Sequence, residues 1–174
     1  VTGPHTEAAV VADGDRWTLI FIRELPQPPE RVWAALVDPE RLDRWAPFTA
    51  SRPLTETGPA TLTMVDGDER TALPAFVHRV EATQLLEYTW GEDLLRWELE
   101  PAGDGTRLTL RHTLADRDMD AMVAAGWHLC ADVLGRLLAG EPVTAIRGKA
   151  AMDHGWKDLR DHYAAVFASS TDKI

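Results

Sequence analysis

Six histidines, one cysteine and three serines carry most of the chemical potential of this 174-residue chain. His112 lies in the alternating run Leu108-Thr-Leu110-Arg-His112-Thr-Leu114, so a strand here turns the imidazole to the side of Leu108 and Leu110. On an apolar face an imidazole can move protons on a bound carbonyl compound, or it can be a core group satisfied by structural hydrogen bonds. His112 is thus the one candidate acid–base residue, with the structural role expected. His154, Asp158 and His162 are spaced i, i+4, i+8 on a helix, but opposite Trp156, Leu159 and Tyr163. That face should be solvated, and no metal site is expected there. His128 with Asp132 four residues on reads as a surface pair. Cys130 falls among apolar residues, where a thiol packs as a small hydrophobe and is inert. None of Ser51, Ser169 and Ser170 sits in a Gly-x-Ser-x-Gly elbow. Gly103-Asp-Gly105 leads into a strand, not a helix, so it is no dinucleotide loop. Asp66, Asp68 and Glu69 make an acidic hairpin tip that lacks the full calcium pattern. No cofactor is expected.

The seven tryptophans are the stronger signal. Trp33 should be core. Trp45, Trp90, Trp97 and Trp127 fall on inward faces or near the mouth of the space described below, where rings line a pocket or simply fill volume.

The elements that must position these residues follow from periodicity. Trp17, Leu19, Phe21, Arg23 and Leu25 alternate with Thr18, Ile20, Ile22 and Glu24, a strand covered on both sides at one end. Pro29 opens a helix with Val32, Trp33, Leu36 and Val37 on one face. Asp38 caps a second, with Pro39 at its first position. Strands are expected at about 52–57, 60–65, 74–81, 85–90, 94–100 and 106–114, with turns at Asp66-Gly67-Asp68 and Gly103-Asp104-Gly105. A long helix over about 117–139 carries a broad apolar stripe and ends at Gly140. A last helix covers about 153–167. The domain is expected over 16–168, with residues 1–15 a flexible N-terminal tail and 169–174 a C-terminal tail.

Composition narrows the partners. Eighteen Lys and Arg against 28 Asp and Glu give a formal charge of −10, which argues against nucleic acid and anionic lipid. No run approaches the ~18 apolar residues of a membrane span. Val1–Arg16 lacks the layout of a secretory signal, and the single cysteine excludes an internal disulfide. A reducing, cytoplasmic compartment is the expectation.

The order of elements is strand, two short helices, an antiparallel run, then a long apolar helix. Within it, Pro29-Glu-Arg-Val-Trp33-Ala-Ala-Leu-Val-Asp38-Pro39-Glu40-Arg-Leu42-Asp-Arg-Trp45-Ala-Pro47 resembles the opening motif of SRPBCC/START-like proteins. The closest branch looks like the homologues of the activator of the ninety-kilodalton heat-shock protein ATPase. Tyr88-Thr-Trp90-Gly91, Arg96-Trp97-Glu98-Leu99 and Gly105-Thr106-Arg-Leu-Thr-Leu-Arg-His112 are similar to that branch's middle strands, and Gly126-Trp127-His128 to its long helix. The resemblance spans roughly residues 17–167. It implies an α+β helix-grip fold, a curved antiparallel sheet wrapped around a long C-terminal helix with two short helices after the first strand. Gly58-Pro59-Ala60-Thr61, where paired glycines are usual, and the connection 141–152 depart from the pattern at the expected cavity mouth.

Three functions are compatible with that scaffold. The first is binding of a hydrophobic small molecule, aromatic ones included, between sheet and long helix. Its walls would be Trp45, Phe48, Leu62, Met64, Phe76, Tyr88, Trp90, Trp97, His112 and Trp127, with His112 and the Tyr88 hydroxyl as orienting groups. The second is a cyclase or dehydratase using His112. The third is a co-chaperone-like domain whose acidic surface meets a chaperone. Family precedent also allows a homodimer.

Overall fold

The computed structural model describes residues 6–66 and 68–171. Eight strands form a single antiparallel sheet in the order β1-β2-β8-β7-β6-β5-β4-β3. They are β1 (Thr6–Asp13), β2 (Arg16–Leu25), β3 (Phe48–Ala50), β4 (Gly58–Asp66), β5 (Glu69–Glu81), β6 (Leu85–Trp90), β7 (Asp93–Ala102) and β8 (Gly105–Leu114). Two short helices, α1 (Pro29–Val37) and α2 (Pro39–Trp45), follow β2, and α3 (Asp120–Leu138) and α4 (Trp156–Thr171) follow β8. This is the helix-grip arrangement.

Alternation decides which face is core. Leu19, Phe21 and Leu25 on β2, Leu95, Trp97 and Leu99 on β7, and Leu108, Leu110 and Leu114 on β8 are all buried. The intervening residues of β7 and β8 carry a charge ladder in which Arg111 Nε reaches Glu98 Oε1 at 2.6 Å. The sheet closes tightly at the β7–β8 hairpin. Gly103 has φ +58°, and a Cβ on Gly105 would stand 2.2 Å from the Leu25 carbonyl oxygen, so only glycine lets β8 start there.

The helices are bounded as their ends dictate. Asp38 accepts the Glu40 amide at 3.1 Å and starts α2. Gly140, at φ +84°, ends α3, whose last turn is closed by the Gly140 and Glu141 amides bonding Leu137 and Arg136 carbonyls. Arg31 adds a 2.6 Å bond to the Leu138 carbonyl. The segment Arg117–Leu138 is long and apolar enough to cross a membrane by composition. Here Ala124, Val133 and Leu134 of that segment are buried in the core.

Four expectations change. Thr6–Asp13 is not a tail but β1, paired along its whole length with β2. Its small alanines give weak hydropathy contrast, and among its described side chains only Val10 is buried. At the other end α4 runs to Thr171, so the tail expected from residue 169 begins inside a helix, and 172–174 lie outside the described residues. No strand forms over 52–57. The Arg52 guanidinium collects the carbonyls of Pro53, Glu56, Gly58 and Pro59 and curls the segment into a loop, while Leu54 anchors it with no exposed surface. The pairing moves to Phe48–Ala50, against β4. The last two helices are each preceded by a 3-10 turn, Arg117–Met119 and Gly148–His154, which shifts their starts. Gly67 of the expected acidic turn lies outside the described residues.

Candidate functional site

The interior between sheet and α3 has two unlike halves. In one, aromatic rings meet edge to face: Trp45 and Trp97 at 5.9 Å between centroids, Trp97 and Trp127 at 5.3 Å, Phe48 and Tyr88 at 6.3 Å. Their polar atoms are already bonded. Trp45 Nε1 donates to the Ala35 carbonyl at 2.9 Å, and Trp97 Nε1 to the Tyr88 hydroxyl at 3.0 Å. Burial pushes the Tyr88 phenol well above its ordinary range, against a smaller opposite pull from that bond.

In the other half a cavity of about 400 Å³ opens between the ends of β4, β5 and β6, one side of α3, and the connection that follows α3. Met64 and Trp90 line it from the sheet, Val123, Gly126, Trp127 and Cys130 from α3, and Ile146 and Trp156 from beyond. A Cβ at Gly126 would meet nothing within 4 Å, so this helix glycine opens part of the space. The wall is mostly apolar, and a volume of this size suits a small organic molecule.

The connection 141–155 is held across the cavity as a strap. Arg147 Nε donates to the Ala46 carbonyl at 2.8 Å, and its other nitrogens reach Asp43 and the Phe48 carbonyl. The Lys149 amide donates to Asp66 Oδ1 at 3.2 Å. One side of the strap is thus tied to the end of α2 and the other to β4. Asp66 and Glu69, read from sequence as an acidic tip, stand at the cavity rim.

The residues expected to line a pocket divide accordingly. Met64, Trp90 and Trp127 line the 400 Å³ cavity. Trp45, Trp97 and Trp127 line a separate void of about 10 Å³ deeper in the grip. Phe48, Leu62 and Tyr88 are at most 1% exposed and line neither. Phe76 points the other way. It is 46% exposed, because Ala75 and Val77 take the inward positions of β5. The run Leu73-Pro-Ala-Phe-Val is too uniformly apolar for sequence to fix that parity.

His112 is buried, with both ring nitrogens hydrogen-bonded. Trp127 Nε1–H donates to His112 Nδ1 at 3.0 Å, which leaves the ring proton on Nε2, 2.6 Å from Asp93 Oδ2. Asp93 Oδ1 also accepts the Ala115 amide at 3.0 Å. Burial raises the Asp93 carboxyl, but the His112 and Ala115 hydrogen bonds and nearby positive charge together hold it below its ordinary value. With both ring nitrogens engaged, and the ring outside the cavity's lining, His112 has no free atom to offer a substrate in this arrangement.

The other titratable groups also resolve. Cys130 is 3% exposed, and burial pushes its thiol up to about 12, with Arg147 pulling slightly back. His128 is not a plain surface partner of Asp132. It is half-buried under α4, 3.6 Å from Asp132 Oδ2 by Nε2 and 2.7 Å from the Tyr163 hydroxyl by Nδ1. Burial lowers its pKa, Asp132 raises it, and Arg23 and His162 lower it further. His154, Asp158 and His162 are exposed, and Gly155 in the left-handed region separates His154 from α4, so the three do not share one helical face. Val123, Gly126 and Trp156 lie in helical segments whose apolar spacing does not distinguish a cavity wall from packed core. Ile146 and Arg147 sit in a segment with no periodicity to read.

Residues 26–139, well over half of the chain, match the family model described as Activator of Hsp90 ATPase homolog 1-like protein. The chain belongs to this family. The match starts after β2 and ends where α3 ends, so β1, β2, the strap and α4 lie outside the matched region. No curated protein matches the sequence. Among solved structures, CalU16 from Micromonospora echinospora is similar at 21% identity and a TM-score of 0.69, covering 94% of this chain and 98% of that one. Its solution NMR structure superposes with a TM-score of 0.72. DynU16, a protein in the dynemicin biosynthetic locus, is 26% identical with a TM-score of 0.65 over 76% of this chain. The match covers only 51% of DynU16's own length.

Proposed function

We propose that this family member binds an apolar, aromatic small molecule in the cavity between Trp90, Trp127, α3 and the strap. The observation that carries the reading is a 400 Å³ space with a largely apolar wall in a fold whose other interior half is filled with rings. The likeness to DynU16, from a biosynthetic locus, favours a biosynthetic small molecule as cargo. A carrier reading outranks the His112 enzyme because that imidazole is consumed by Trp127 and Asp93.

N-phenyl-1-naphthylamine, a neutral aromatic dye that brightens in apolar surroundings, tests this directly. The native protein should bind it with a saturable rise in fluorescence and a higher Tm, because a ligand that binds only the folded state stabilises it. Gly126→Leu places a side chain in the open space and should abolish the rise while the circular dichroism spectrum stays native. Equal dye binding by Gly126→Leu and the native protein would refute the site.

A further inference from the structure

Asp66 and Glu69 close the β4–β5 hairpin as directly opposed residues, with Met64 and Thr71 opposed next along the same face. All four line the 400 Å³ cavity. Opposed residues on one face of an antiparallel pair stand about 4.5–5.5 Å apart at Cβ, and like charges there repel. Among the described residues, Asp66 accepts the Lys149 backbone amide and forms no ion pair, and Glu69 has neither a hydrogen bond nor an ion pair. No neighbouring cation matches the two charges. Lys149 meets Asp66 through its main chain only. Arg70 alternates to the other face of β5. Arg147 also lines the cavity, but its guanidinium is 3.3 Å from Asp43 Oδ1 and donates to the Ala46, Asp43 and Phe48 carbonyls.

On their own these carboxylates would be a polar turn. The space they border makes them the polar end of a site, because the rest of its wall is mostly apolar and includes Trp90 and Trp127. An ammonium between them meets acceptors and supplies the charge compensation that the described residues do not. The ring that carries it then lies against the apolar wall. A carboxylate or sulfonate in the same place meets two like charges. The overall charge of −10 acts in the same direction, drawing cations and repelling anions at long range.

We propose that the cavity selects aromatic amines, holding a protonated primary or secondary amine at the Asp66–Glu69 rim and the ring inside. The proposal rests on the cavity being a ligand site, and it adds the charge and the polar end of the ligand. No movement of the tryptophans is needed, since both carboxylates already stand at the rim.

The test uses three naphthalenes of one skeleton as competitors of N-phenyl-1-naphthylamine: 2-(1-naphthyl)ethylamine, 2-(1-naphthyl)ethanol and 1-naphthylacetate. At low ionic strength the native protein should bind the ammonium about three- to tenfold more tightly than the alcohol, the range for two partly exposed ion pairs. The acetate should bind more weakly than the alcohol. The ammonium's advantage should shrink in about 0.5 M salt, which screens exposed charges. Asp66→Asn/Glu69→Gln keeps the side-chain shapes and an oxygen for the Lys149 amide, and should bring the ammonium-to-alcohol ratio close to one. Equal native affinities, a preference for the acetate, an advantage indifferent to salt, or a ratio that survives in the double variant each refutes the role of the carboxylates. If the native protein does not bind N-phenyl-1-naphthylamine at all, the cavity reading fails and this proposal with it. Binding without charge preference overturns this proposal alone.

Discussion

The two halves of the interior are built from the same residue types and end up with opposite properties. Around Trp45, Trp97, Phe48 and Tyr88 the rings interlock, and the Trp45, Trp97 and Tyr88 polar atoms shown above are bonded. Around Trp90 and Trp127 the rings stand on one wall of a cavity. The difference lies in what faces them. The packed half is closed by α1 and α2, whose sequence belongs to the family's opening motif. The open half is closed by the strap and α4, beyond the family match, with a glycine of α3 turned toward the space. Tryptophan content alone therefore does not forecast a pocket; the element opposite decides.

Mutations should separate the halves by magnitude. Trp97→Ala removes a buried ring from the packed half and should cost about 3–5 kcal/mol in urea unfolding. Met64→Ala, at the cavity wall and 38% exposed, should cost less than about 1.5 kcal/mol. Equal losses would mean that the cavity wall is as tightly packed as the rest.

Next in size is the hydrogen-bond chain from Trp127 through His112 to Asp93. The folded-state pKa of Asp93 is depressed, so its contribution to stability is complete above the unfolded value of about 3.9 and is lost as pH falls through the lower folded value. Stability measured between pH 6 and pH 2.5 should therefore drop less steeply in Asp93→Asn than in the native protein. The variant should also start out less stable at pH 6, since an amide cannot accept from both His112 and Ala115 as well as a carboxylate does. Parallel acid limbs in the two proteins would show that the Asp93 carboxylate does not stabilise the fold through this chain.

The smallest effect is expected at Phe76. Despite its aromatic ring and its place among the anticipated pocket residues, Phe76→Ala should shift stability by about 0.5 kcal/mol or less and leave dye affinity alone. A clear loss of dye binding would put that ring inside the site after all.

Much of this was legible because one-sided strands announce their faces. The alternations in β7 and β8 place Leu95, Trp97, Leu108 and His112 inward, and the caps at Asp38 and Gly140 are where their side-chain chemistry requires. Arg23 sits in the same kind of alternation, between Phe21 and Leu25, and a lone charge on an apolar face is a signal that can be read from spacing. Where contrast fails, so does the reading. The alanines of β1 hide a strand, the apolar run around Phe76 hides its parity, and Arg52 gathers four carbonyls in a way no periodicity foretells. The strap is the clearest case. Its shape is set by Arg147 and Asp66 meeting partners about 80 to 100 residues away in sequence, which is tertiary information.

Gly126 carries a consequence for the life of the protein in the cell. A glycine inside a helix costs about 1 kcal/mol relative to alanine, and whole domains of ordinary stability have only about 5–15 kcal/mol in hand. Nothing touches the position where a methyl would go. The unfilled protein therefore gives up a measurable part of its resistance to unfolding to keep a space open. On the proposed ligand-binding function, an occupant would restore it by mass action, so turnover of the polypeptide should slow when that ligand is abundant and quicken when the supply fails, making the protein's abundance a readout of ligand concentration.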